Sequence, residues 1–103
     1  MNFKDMIRNL TSISEGMSIL YVEDETLIRE NTALLLETIF SDVKIAANGQ
    51  EGFDLYRTQR FHIVITDILM PEMNGVVLVK KIKELNPAQP IIITSACEES
   101  GYL

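Results

Sequence analysis

Three short apolar runs in this 103-residue sequence stop at oxygen-bearing side chains. Residues 17–22 are followed by Glu23, Asp24 and Glu25, residues 61–66 by Asp67, and residues 91–93 by Thr94 and Ser95. Acids at the tip of a single strand are usually solvated loop residues, and a lone serine there is an ordinary loop hydroxyl. A parallel sheet changes that reading, because it brings all of its strand tips to one edge. Asp24, Asp67 and Ser95 would then converge from distant parts of the chain. Carboxylates brought so close repel one another, and one keeps its proton at raised pKa unless a cation intervenes. A hard divalent cation resolves the conflict. Mg2+ favours oxygen ligands, retains waters, and commonly binds one or two carboxylates together with substrate phosphate oxygens. The chemistry such a pocket offers is phosphoryl transfer. A carboxylate oxygen attacks phosphorus in line, the metal neutralises developing charge, and a nearby hydroxyl hydrogen-bonds the phosphoryl oxygens.

The elements that must position these residues follow from apolar periodicity. Residues 17–22 read as a buried strand. Residues 25–40 read as a helix, with Leu27, Ile28, Leu34, Leu35 and Ile39 forming a broad apolar face. Residues 43–46 form a second strand, ended by the turn pair Asn48-Gly49. Residues 49–60 read as a second helix, with Phe53, Leu55 and Tyr56 available for packing, and residues 61–66 as a third strand. After Asp67 comes a loop, then a third helix over residues 76–85, with Asn74 as its N-cap. Asn86-Pro87 closes that helix. Pro90 precedes a fourth strand at residues 91–94, and residues 95–103 read as the start of another helix. The alternation predicts an α/β fold with a doubly wound parallel sheet covered on both faces, because short crossovers must be right-handed. Ligands of such folds sit outside the carboxyl ends of the strands. The expected organisation is a domain over residues 17–103 preceded by an extension, residues 1–16. In that extension Phe3, Met6, Ile7 and Leu10 follow the i, i+3, i+4, i+7 pattern of an amphipathic helix, which at this length needs a packing partner.

Composition narrows the function classes. Hydrophobic residues make up 47% and charged residues 23%, the balance of one ordinary globular domain. No apolar run approaches the roughly 20 residues that span a bilayer. The N-terminus lacks a signal-peptide pattern, so a cytoplasmic location is expected. Nine basic against fifteen acidic residues give a net charge of −6, which argues against direct nucleic-acid binding. Lys80, Lys81 and Lys83 read as a solvated helix face. The single cysteine, Cys97, excludes an internal disulfide, and nothing near it in sequence activates the thiol. His62, the sole histidine, excludes a multi-histidine metal site and is read as structural.

Three segments carry a family likeness: Val22-Glu23-Asp24-Glu25, then Asp67-Ile68-Leu69-Met70-Pro71-Glu72-Met73-Asn74-Gly75, then Pro90-Ile91-Ile92-Ile93-Thr94-Ser95-Ala96. Together they resemble the receiver domain of bacterial response regulators in two-component signalling. The likeness covers roughly residues 17–100, and its Asp-x-x-Met-Pro-x-Met-Asn-Gly segment is highly specific. It implies a flavodoxin-like strand order of 2-1-3-4, with the family's fifth strand missing from this chain. It implies that Asp67 is the phosphoacceptor and that Asp24 binds Mg2+ directly. Glu23, where the family often has Asp, would bind Mg2+ through a water. Asp67 and the backbone carbonyl of Leu69 complete the implied metal ligands, and Ser95 is the implied switch hydroxyl. Pro71 and Gly75 shape the loop, and Glu25 falls at the start of the first helix, where the dipole favours it.

The resemblance further implies a phosphoaccepting switch rather than an enzyme, with a sensor histidine kinase as partner. Leu69 and Cys97 match family positions flanking the path of hydrolytic water. Neither orients water well, which predicts a long-lived phosphoaspartate. The family's domain also carries a lysine that pairs with the phosphoryl group, and none follows Ser95 here. An apolar fourth strand left at an edge is a site for pairing, so self-association through that edge or the N-terminal helix is expected. Two other functions compete. A phosphatase with an aspartate nucleophile typically needs a second acid two residues on, where this chain has Leu69. A dimerising or scaffolding module would keep the receiver shape without taking phosphate.

Overall fold

The computed structural model describes residues 2–5, 16–70 and 73–94. Met6, Ile7, Leu10, Pro71, Ser95, Cys97 and the expected further helix lie outside the described residues. The order is β1 (Ser18–Val22), α1 (Thr26–Glu37), β2 (Asp42–Ala46), α2 (Gly49–Tyr56), β3 (Ile63–Asp67), α3 (Gly75–Leu85) and β4 (Ile91–Thr94). The strands form one parallel sheet in the order β2-β1-β3-β4, the expected α/β arrangement.

Register explains why the strand tips meet. Val22 pairs with Ala46 on one side and Thr66 on the other, while Asp67 pairs with Thr94. The residues that follow β1 and end β3 and β4 therefore share the carboxyl edge. β1 is buried along its whole length, the pattern of a central parallel strand covered on both faces.

One face of the sheet holds the main core. Leu20, Val22, Ala46 and Val64 pack there with Tyr56 of α2 and with Leu78 and Ile82 of α3. Leu78 and Ile82 are fully buried, each contributing roughly 1.5–3 kcal/mol. Asn74 caps α3, its Oδ1 accepting the Val77 N–H at 3.0 Å, as its position predicts. Asn48 does the same for α2 with the Glu51 N–H, and Glu51 returns a bond from the Ala47 N–H.

The other face departs from expectation. α1 presents Ala33 to the sheet, flanked by half-buried Arg29, Thr32 and Leu36. Leu27, Leu34 and Leu35 instead stand 68%, 65% and 62% exposed. The apolar residues picked by periodicity exist, but α1 sits on a narrower stripe centred on Ala33. Element ends also move, with α1 closing at Glu37 rather than at residue 40. α2 stops at Tyr56 rather than running to residue 60, and β3 begins at Ile63 and takes in Asp67.

The amino edge of the sheet is tied by polar contacts. His62 Nδ1 accepts the Ser18 N–H at 3.0 Å, a structural role. The buried Gln89 accepts from the Tyr56 hydroxyl at 2.8 Å and donates to the carbonyls of His62 and Pro90.

Candidate metal centre

β1 delivers Glu23 and Asp24 to the carboxyl edge, and β3 delivers Asp67. One carboxylate oxygen from each lies within 4.8 Å of the others. Glu23 is 5% and Asp67 6% exposed, while Asp24 is half-buried. At an effective dielectric of about 20, two such charges repel by roughly 3–4 kcal/mol. Burial pushes the Glu23 carboxyl above the usual glutamate range, and the charge on Asp67 pushes it the same way. A hydrogen bond from the Glu25 N–H to Glu23 Oε2, at 3.1 Å, opposes both. The donor set is all carboxylate oxygen, crowded and largely withdrawn from water. That fits a hard divalent cation such as Mg2+ and suits a soft metal poorly.

Asp67 is held with unusual closeness. Its Oδ1 accepts the Ile68 N–H at 2.7 Å, and its carbonyl accepts the Thr66 hydroxyl at 2.9 Å. The Gly75 N–H bonds the Ile68 carbonyl at 2.7 Å. A Cβ at Gly75 would fall 2.2 Å from the Asp67 carbonyl oxygen, so only glycine lets α3 start this near the loop after Asp67. Gly49 braces the loop from the other side, because a Cβ there would lie 2.1 Å from the Met73 carbonyl oxygen.

The acids open onto a cavity of about 480 Å3, whose other walls are Tyr21, Glu25, Ile28, Thr32, Ile65, Leu69 and Thr94. Leu69 is an exposed apolar wall beside Asp67. Thr94 lines this cavity, whereas Ser95 lies outside the described residues. A larger cavity, about 610 Å3, lies at the far end among Tyr56, Gln59, Arg60, Phe61, His62, Leu85, Asn86 and Gln89. No carboxylate lines it, and its buried amide, Gln89, is already satisfied.

The structure thus brings together Glu23, Asp24 and Asp67 and places Leu69 beside them. It also shows a residue that pattern reading missed. Arg29 of α1 turns back so that Nη1 donates to the Glu23 carbonyl at 2.9 Å and the Asp24 carbonyl at 3.4 Å. The available signal was a cation near the N-terminus of a helix whose dipole disfavours it.

Comparisons with known proteins agree with this arrangement. Residues 19–103 match the family described as the response regulator receiver domain. The transcriptional regulatory protein SrrA of Staphylococcus aureus is 32% identical over 83 residues, covering 81% of this chain and 34% of SrrA. The chain spans about a third of the length of the curated relatives it matches. The N-terminal domain of an uncharacterized protein of Wolinella succinogenes superposes with a TM-score of 0.75 at 35% identity, covering 84% of this chain and 70% of that one. CheY of Borrelia burgdorferi, solved as a CheX-CheY-BeF3-Mg2+ complex, superposes with a TM-score of 0.73 at 25% identity, covering 89% and 72%.

Proposed function

This chain belongs to the response regulator receiver domain family, and on that premise we propose that it is a two-component switch whose phosphoryl acceptor is Asp67. The observation that carries the reading is the meeting of Glu23, Asp24 and Asp67 within 4.8 Å at the carboxyl edge of the sheet. The donor is a sensor histidine kinase, and the domain works in the cytoplasm as a switch rather than as an enzyme. Asp24 and Asp67, the Leu69 carbonyl, and Glu23 through a water are the groups that would hold Mg2+. When bound, the ion offsets the negative charge of the carboxylates and of the incoming phosphoryl group. The Ile68 N–H fixes one oxygen of Asp67, which orients the other for in-line attack on phosphorus as the bond to the donor nitrogen breaks. Leu69 narrows the access of water to the product, and Ser95 supplies the hydroxyl that closes on the phosphoryl oxygens. The BeF3-Mg2+ complex of the Borrelia neighbour supports the same chemistry in a related chain.

Beryllofluoride with Mg2+ tests this reading by amide NMR. The expected result is a shift of the Glu25, Ile68 and Gly75 signals that needs both reagents and is absent in Asp67→Asn. A wild-type chain that does not respond, or an Asp67→Asn variant that responds equally, would contradict it.

One observation favours a second reading, an association module. Leu27, Leu34 and Leu35 of α1 are exposed, and Ile92 and Ile93 of β4 are about half exposed. Pairing of two copies would cover such a surface. Sedimentation of a folded monomer at high concentration would exclude it.

A further inference from the structure

α1 begins without a side-chain cap, for Glu25 at its N-cap makes no such bond. The turn between β1 and α1 is nevertheless where Glu23 and Asp24 must be aimed. The guanidinium of Arg29 supplies a clamp from within the helix, through its two bonds to the Glu23 and Asp24 carbonyls. Among the described residues its hydrogen bonds run to these main-chain oxygens and not to the acids themselves. A cation at this end of a helix opposes the macrodipole and needs a compensating reason. The reason on hand is geometric. A single nitrogen, Nη1, fixed in the guanidinium plane and reaching two consecutive carbonyls, restricts both peptide planes, and those planes decide where the two carboxylates point. One oxygen of each carboxylate comes within 4.8 Å of one from Asp67.

We propose that Arg29 is a positioning residue for the divalent-cation site. It touches neither metal nor phosphoryl group and acts by holding the Glu23–Asp24 backbone so that the carboxylates converge. This rests on the reading of the acidic cluster as a metal site. Charge and geometry predict opposite signs for its removal. If Arg29 acted only as a nearby positive charge, removing it would strengthen binding of a dication. If it positions ligands, removal weakens binding, and lysine, which keeps the charge but carries a freely rotating ammonium in place of a nitrogen fixed in a rigid plane, fails to rescue.

The test is Mn2+ affinity of the full chain, followed by the EPR signal of free Mn2+, for wild type, Arg29→Lys and Arg29→Gln. Both variants are expected to bind about tenfold more weakly, the size of effect typical of groups that orient metal ligands. Metal-free thermal melts identify a variant that fails to fold. Should Arg29→Gln fail, Arg29→Lys decides the matter. Wild-type binding with an unchanged or tighter Arg29→Lys would overturn the inference alone. A wild type that takes up no Mn2+ would overturn the metal reading and this inference with it.

Discussion

Glu23 shows what the site costs the fold. Its carboxyl is held above the usual glutamate range, first by burial and then by Asp67. The folded chain therefore binds that proton more tightly than the unfolded chain. The contribution of Glu23 to metal-free stability is fully present below the ordinary glutamate value and is lost as pH rises through the raised one. Glu23→Gln removes the penalty. Its expected effect at neutral pH without metal is a gain of about 1 kcal/mol, or roughly 4–8 °C in Tm, with a flatter pH profile and weaker Mn2+ binding. Calorimetry at about pH 5 and pH 8 checks this, and an unchanged profile would count against the electrostatic picture. Leu69 carries a kinetic prediction. An apolar side chain beside Asp67 cannot orient water, so the phosphoaspartate should be long-lived. Leu69→Asn should lose its label faster by about tenfold or more in a pulse-chase with Mg2+. At this scale Asp67, Asp24 and Glu23 were legible because their types and places at strand tips were written in the chain. Arg29 and Gly49 were not, since their roles depend on main-chain approaches; a cation near the start of α1 marks Arg29 as out of place without saying what it holds.

Among the elements, β1, β3 and β4 were readable because short apolar runs ending in polar residues leave few alternatives. α3 was readable because Asn74 and Asn86-Pro87 mark its ends. α1 was misread in one respect. Periodicity identifies which residues share a helix face, but it does not say which face the sheet receives. Here the sheet takes the stripe of Thr32, Ala33 and Leu36, and Leu27, Leu34 and Leu35 remain outside. Stability measurements should reflect that split. Leu34→Gln is expected to change unfolding free energy by less than about 0.5 kcal/mol, as at a surface position. Ile82→Ala, at a fully buried position of α3, should cost about 2–5 kcal/mol. Chemical denaturation of both variants makes the comparison, and equal losses would show that α1 is packed differently.

For the molecule as a whole, parallel topology turns distant sequence positions into one site. The order β2-β1-β3-β4 sets the tips of β1 and β3 side by side, and α3 is drawn against the loop after Asp67 by Gly75. The opposite edge, tied by His62 and Gln89, holds the strands in register without adding chemistry. The fold class and the converging acids followed from strand alternation and right-handed crossovers. The exposed leucines of α1 did not, because burial depends on the three-dimensional arrangement of layers. The most direct measurement is intact mass after incubation with acetyl phosphate. The account predicts a gain of one phosphoryl group that requires Mg2+ and vanishes in Asp67→Asn. A gain that persists in Asp67→Asn, or a wild-type chain that never gains mass with Mg2+ present, would contradict it.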